Sequence, residues 1–232
     1  MTPPAAAVPA VVLASRSPRR QQLLAALGVP FQVDAADVDE TPQAGEAPEA
    51  VALRLAQAKA LAVAARHPGR VVLASDTVVA LEDAVLGKPA DAAEAVAMLL
   101  SLRGRPHRVL SAVYALNAAT GQRASALNVS HVWMRRYSDA EIAAYVASGD
   151  PMDKAGAYAI QSRSFAPVER VQGCFAGVMG FPLADVARVL AAVGVVPPAD
   201  IAAACRPFSG RCCQESPAEG GAVNRSPSKA HR

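Results

Sequence analysis

The sequence predicts an α/β layered fold with a mixed sheet. Short apolar runs alternate with longer stretches of helical periodicity in the first half, the βαβα order of a layered fold. Paired apolar runs around turn residues follow, which read as hairpins. Over half of the 232 residues (52%) are apolar and only 4% are aromatic, so a core rich in Ala, Val and Leu is expected.

Val11–Ala14 reads as a buried strand. Pro18 suits the first turn of a helix that carries Leu23, Leu24 and Leu27 on one face and stops at Gly28. Phe31–Ala35 reads as a second strand, followed by the acidic loop DVDETPQAGEAP and a helix from about Glu49 to Arg66. Val71–Ala74 is another apolar strand, which places Ser75-Asp76-Thr77 at a strand end, and Thr77–Leu81 and Val85–Lys88 form a hairpin around Glu82-Asp83-Ala84. Asp91 with Glu94, and Ser138 with Glu141, have the spacing of capping boxes. Between those two helices, Val109–Asn117 and Ala126–Met134 form a hairpin around Ala119-Thr120-Gly121. Ala157–Gln161, Ala166–Val171 and Ala176–Met179 read as short β-like pieces, and Pro182 opens a helix ending near Gly194. The expected organisation is a leader at 1–10, one domain at 11–195 and a mostly disordered tail at 196–232, where Pro, Ser, Gly, Arg and Cys dominate without periodicity.

The formal net charge of +3 and the single Trp argue against a nucleic-acid binder. No apolar run reaches the roughly 18 residues of a membrane span, and MTPPAAAVPA lacks the basic and long apolar regions of a secretory signal. The four cysteines show no metal-binding spacing, and the adjacent Cys212-Cys213 is a poor disulfide framework, so a reducing cytoplasm is expected. The four histidines are scattered, which argues against a hydrolytic triad.

Two segments in such a fold would face a ligand crevice at strand ends: Ser15–Arg20 and Ser75–Thr77. A turn feeding a helix N-terminus offers free N–H groups and partial positive charge. Ser15 and Ser17 add hydroxyls, and Arg19 and Arg20 add guanidiniums that grip phosphate oxygens, without any glycine-rich dinucleotide or P-loop pattern. Asp76 can bind Mg²⁺, act as a general base on water, or simply form a turn. The acidic loop supplies Asp37, Asp39 and Glu40, and Glu40 with Asp76 would suffice for a phosphate-bound Mg²⁺. Lys59 and Lys88 are either snorkelling surface lysines or part of a triphosphate site. Lys154, Tyr158 and Gln161, in DPMDKAGAYAIQS, can reach a nucleotide or belong to an ordinary strand entry.

Seven blocks then resemble the Maf-type nucleoside triphosphate pyrophosphatases: LASRSPRRQQLL at Leu13–Leu24, VDETP at Val38–Pro42, RLAQAKA at Arg54–Ala60, SDTVV at Ser75–Val79, LGKP at Leu86–Pro89, DKAGAYAIQ at Asp153–Gln161 and GFPL at Gly180–Leu183. They stand in family order between about Val11 and Val193. The resemblance implies a Maf/ITPase-like fold, a mixed elongated β-sheet flanked by helices with a central substrate cleft, and metal-dependent hydrolysis of a nucleoside triphosphate to monophosphate and pyrophosphate, a house-cleaning of the nucleotide pool. It implies Asp76 as proton acceptor, Glu40 and Asp76 as ligands of Mg²⁺ or Mn²⁺, and Ser15, Arg20, Lys59 and Lys88 as phosphate-binding residues; Ser17 and Lys154 are expected to bind phosphate beside them. Arg19, Thr77 and Gln161 match the positions that separate the subgroups and resemble the dTTP/UTP-cleaving type; the 7-methyl-GTP-cleaving sibling is the alternative. A weakly catalytic nucleotide-binding regulator of septum formation is a further alternative, and a homodimer is the family expectation. The chain departs from the family pattern at Arg16, Ala159, Ser162, Cys174-Phe175 and Phe181. Ala159 and Ser162 stand where the family has glycines, so their added Cβ atoms would either strain a positive-φ backbone or narrow the base pocket.

Overall fold

The computed structural model describes residues 11–209 and 221–222. The elements run β1 (Val11–Leu13), α1 (Pro18–Ala26), β2 (Phe31–Val33), α2 (Pro48–Ala64), β3 (Val71–Leu81), β4 (Ala84–Leu86), α3 (Ala92–Leu102), β5 (Pro106–Asn117) and β6 (Arg123–Met134). They continue with α4 (Asp139–Ala147), β7 (Val168–Gln172), α5 (Phe175–Val178), α6 (Leu183–Ala192), α7 (Ile201–Ser209) and β8 (Gly221–Ala222). The strands form one mixed sheet in the order β2-β1-β3-β5-β6-β7-β8, with β4 also paired to β3. β1 runs parallel to β2 and β3; the remaining pairs are antiparallel.

Side-chain parity along the strands divides the interior in two. On one sheet face, Val12, Ala14, Val72, Ala74, Val78 and Ala80 pack under α2. On the other, Val11, Leu13, Val71, Leu73 and Val79 join the larger cluster that includes α1, α3 and α6. α2 is amphipathic: Val51, Ala52, Leu55, Ala56, Ala60 and Val63 are all buried, and Lys59 lies within the same buried stripe. A buried ammonium demands a partner, and it finds two in the cleft below.

Several expectations are corrected. Ser75–Thr77 is not a strand end, nor does Thr77 start a separate strand. β3 runs unbroken for 11 residues because β5 pairs with it continuously from Val71 to Ala80. The crevice arises instead on the opposite edge of β3. There β1 pairs only with Val71–Leu73 and β4 only with Val79–Leu81, so the edge around Asp76 carries no strand. The two β-like pieces at Ala157–Gln161 and Ala176–Met179 are a 3₁₀ turn with irregular backbone and the short helix α5. Positive φ at Gly156 (67°) and Ala157 (58°) ends any extended run in the first, and Cys174 caps the second. The capping box at Ser138 and Glu141 forms in full. Asp91 accepts from Glu94 N–H at 2.8 Å, but Glu94 reaches back to Ala90 N–H (2.7 Å) rather than to its cap residue.

The expected tail begins with order. Ile201, Ala204, Cys205 and Phe208 form an i, i+3, i+4, i+7 stripe, and α7 buries Ala204 and Cys205 in the larger core cluster. Pro207 within so short a segment conceals that period. The expected leader at 1–10 and Cys212-Cys213 lie outside the described residues.

Candidate active site

The strandless gap on β3 opens into a cleft of about 440 Å³, within the usual ligand-site range of about 300–1,000 Å³. All eleven expected site residues line it: Ser15, Ser17, Arg19, Arg20, Glu40, Lys59, Asp76, Thr77, Lys88, Lys154 and Gln161. Arg16 and Tyr158 line it as well.

Parity places the two central residues. Asp76 points to the α2 face and meets Lys59, whose Nζ donates to its Oδ1 at 2.6 Å. Lys59 Nζ also lies 2.7 Å from Glu40 Oε1, and Lys88 Nζ approaches Glu40 Oε2 at 3.5 Å. Burial works to raise the Glu40 carboxyl, but Lys59 and Lys88 outweigh it and hold it below the usual carboxylate range.

Ser75 and Thr77 point to the other face, where α1 and the turn after α5 arrive. Arg20 Nε donates to Gly180 O (3.1 Å), Nη1 to Ser15 Oγ (3.4 Å) and Nη2 to Thr77 Oγ1 (3.1 Å). Ser75 Oγ donates to the same Gly180 carbonyl at 2.9 Å. Burial draws the Arg20 guanidinium down from its ordinary value, against the pull of Asp76. Ser111, opposite Thr77 on β5, donates to Gly177 O at 2.7 Å and lies 3.0 Å from Thr77 Oγ1. Since a carbonyl only accepts, the Ser111 proton is spent there and Thr77 donates to Ser111. The Thr77 hydroxyl is thereby committed to the protein and orients Arg20. Ser15 Oγ accepts from Ser17 N–H (3.2 Å) and from Arg20, which leaves its own proton for a ligand.

Lys154 lines the cleft from a charged turn. Its Nζ is held by the Asp150 carbonyl, by Asp150 Oδ1 at 3.2 Å and by Asp153 Oδ1 at 2.5 Å. Three donors meet three acceptors on its own turn, so this ammonium secures the turn at the edge of the cleft. Asp153 in turn lies 3.9 Å from Arg19 Nη1. Gln161, exposed on the neighbouring turn, lines the cleft. Beneath that turn, Tyr158 OH meets buried His107 Nε2 at 2.7 Å, and burial lowers His107 to about 4, leaving it neutral at physiological pH.

Sequence reasoning brought Ser75 to the crevice without a role for it, and missed Ser111 and the Gly177 and Gly180 carbonyls as parts of this site. A serine interrupting an apolar run, in VVLASDTVV and RVLSAVYAL, was the available signal.

A sequence profile of the Maf-like protein family matches residues 10–193, which contain the whole cleft. The chain belongs to the Maf-like family. Three relatives called dTTP/UTP pyrophosphatase extend the likeness. The one from Myxococcus xanthus is 50% identical over 186 residues, covering 80% of this chain and 93% of the relative. That from Geobacter metallireducens is 45% identical, covering 80% and 97%. That from Ralstonia nicotianae is 45% identical over 206 residues, covering 84% and 99%.

The departures from the Maf-like pattern are accommodated locally. Neither Ala159 nor Ser162 has positive φ, so the expected strain is absent there; in this segment it falls on Ala157. Cys174 Sγ accepts from Gly177 N–H at 3.3 Å, the bond a serine cap would make. Phe181 is fully buried in the core.

The donor set of the Maf-like cleft fits a divalent cation that arrives with a phosphate. Glu40 and Asp76 flank a single cationic centre, now the Lys59 ammonium, and both supply hard oxygen donors. Among the described residues no group of three or more His, Cys, Asp or Glu is placed to hold a metal alone. A cation here would therefore share its shell with substrate oxygens. Among the described residues no helix is long and apolar enough to cross a membrane.

Proposed function

We propose that the chain hydrolyses dTTP and UTP, and modified pyrimidine relatives, to the monophosphate and pyrophosphate in the cytoplasm. The observation that carries this reading is the convergence of Arg20, Lys59 and Lys88 with Glu40 and Asp76 in one cleft, in a chain closely similar to dTTP/UTP pyrophosphatases. Arg20, Lys59, Lys88 and the Ser15 hydroxyl bind the triphosphate and offset charge developing on its oxygens. Asp76 accepts a proton from water as the water oxygen adds to phosphorus. The bond to the bridging oxygen between the α and β phosphates then breaks, and that oxygen leaves with pyrophosphate. Glu40 and Asp76 would hold Mg²⁺ or Mn²⁺, which supplies further charge neutralisation. Gln161, also on the cleft wall, offers a donor and an acceptor to a uracil or thymine edge. Arg19 is held nearby through Asp153, and Thr77 acts through Arg20.

A pyrophosphate-release assay tests the reading with dTTP, UTP, 5-methyl-UTP, pseudo-UTP, CTP and 7-methyl-GTP. Preference for the uracil and thymine nucleotides is expected. Preference for 7-methyl-GTP would assign the chain to the sibling activity, and full turnover in excess chelator would remove the cation from the scheme.

Gly180→Ala tests the Arg20 arrangement. The new Cβ would lie 2.9 Å from Thr77 Oγ1 and 3.5 Å from Arg20 Nε, on a backbone with φ of 100°. A stability loss of about 1–3 kcal/mol is expected from the strained backbone. A fall in kcat/KM of about 10- to 100-fold is expected from the displaced guanidinium. Thermal melting and the same assay check both; an unchanged kcat/KM would refute the part given to Arg20.

A further inference from the structure

Glu40 reaches the cleft from a segment that no helix or strand carries. Residues between β2 and α2 form no ladder, and their internal bonds are short-range. Asp39 Oδ1 accepts from Thr41 N–H at 2.9 Å, Glu46 Oε2 from Gln43 N–H at 3.0 Å and Gln43 O from Glu46 N–H at 3.0 Å. Among the described residues, the hydrogen bonds that tie residues 37–46 to the rest of the protein, other than those of Glu40 itself, all come from Arg54. Its Nε donates to Glu46 Oε1 at 2.7 Å, and its Nη2 donates to Glu46 Oε2 at 2.7 Å and to Thr41 O at 3.1 Å. The last acceptor is the carbonyl of the residue next to Glu40. The hydrogen bond from Arg54, supported by Gln43 N–H, holds the Glu46 carboxyl down at about 2, so the pairing persists across all working pH values.

We infer that Arg54 is a positioning residue for Glu40, clamping the 39–46 loop so that its carboxylate meets Lys59 and Lys88. The inference rests on Glu40 serving the hydrolysis described above. α2 carries both the clamp and, five residues on, the ammonium that Glu40 meets, so loop and site are referenced to one rigid element. A planar guanidinium can span both carboxylate oxygens and still reach a carbonyl, whereas a lysine has no such fork. Without the clamp the loop must be ordered anew at each binding event, a conformational cost that falls on substrate and cation binding.

The test is a double-mutant cycle with a physical readout beside it. Pyrophosphate release from dTTP is measured across a Mg²⁺ series for the parent, Arg54→Ala, Arg54→Lys, Glu40→Ala and Arg54→Ala/Glu40→Ala. Amide hydrogen exchange of residues 37–46 is followed in parallel. Arg54→Ala is expected to lower kcat/KM about tenfold or more, mainly through KM and a higher Mg²⁺ requirement, with Arg54→Lys no better. Exchange in the loop is expected to quicken. In the Glu40→Ala background, removing Arg54 is expected to cost almost nothing further, because a residue that acts only through Glu40 has nothing left to position. Additive losses, or exchange that does not change, overturn the inference. A parent that releases no pyrophosphate from dTTP or UTP rejects the hydrolase reading instead; loop exchange then decides the clamp by itself, as it does wherever a variant is too slow to assay.

Discussion

Asp76→Asn is expected to lower pyrophosphate release about 10³-fold, the scale of losing a general base, while the fold survives. Asp76 is 5% exposed on the continuous strand β3, opposite Ala112 of β5. Asparagine has nearly the same shape, and its Oδ1 can still accept from Lys59. Lys59 also keeps Glu40 at 2.7 Å, so the buried ammonium is not abandoned. What disappears is the ability to take a proton from water and one negative charge at the proposed cation site. Melting temperature close to the parent with turnover lost is the expected pair of results. Parent-like turnover would exclude Asp76 as the base.

Lys59→Met is the second large effect, and it is expected in stability as well as in activity. Methionine refills the volume in the α2 stripe but leaves Asp76 and Glu40 without the ammonium between them. Removing one partner of a buried ion pair costs about 3–5 kcal/mol. Glu40 is half-exposed, so solvent screens its share and the lower end applies. Arg20 still faces Asp76 from the other side. kcat/KM is expected to fall about 100-fold or more through lost charge stabilisation of the triphosphate. If the two carboxylates can hold a divalent cation, Mg²⁺ or Mn²⁺ should recover part of the lost stability in this variant and do less for the parent. Urea unfolding with and without the cation measures this. A variant as stable as the parent would contradict the pairing of Lys59 with buried Asp76. Indifference to the cation would count against the proposed ligands.

The chemistry of the cleft was more legible than its construction. Arg20, Lys59, Asp76 and Lys88 could be chosen because charged groups interrupt or follow apolar runs, Glu40 because it stands in an acidic loop, and the Maf-like blocks supplied their order. Lys59 illustrates the local signal: it occupies the apolar stripe of α2, four residues after Leu55 and four before Val63, where a lone cation is costly. Other expectations met their limit where two chain segments compete for one backbone edge. Asp76 was expected at the end of a strand because the apolar run stops at Ala74. β3 instead continues through Ser75-Asp76-Thr77, since β5 supplies hydrogen-bond partners that the local run does not reveal. Lys154 was expected at a phosphate from a stretch that mixes small residues with polar ones. Whether its three protons face a ligand or Asp150 and Asp153 depends on how one 3₁₀ turn folds.

The sequence by itself determined the apolar periods, most of the helix boundaries and the set of charged and hydroxyl groups that line the cleft, because these depend on side-chain identity and on contacts a few residues apart. Only the tertiary structure decided that the crevice is a gap between β1 and β4 on one edge of β3, and that α7 adds to the core. It alone set Asp76 against Lys59 on one sheet face and Thr77 against Arg20 on the other. The physical reason is parity: along a strand adjacent side chains take opposite faces. Once pairing with β5 carried β3 unbroken through the site, a single peptide step separated the proposed base from the residue that orients the arginine.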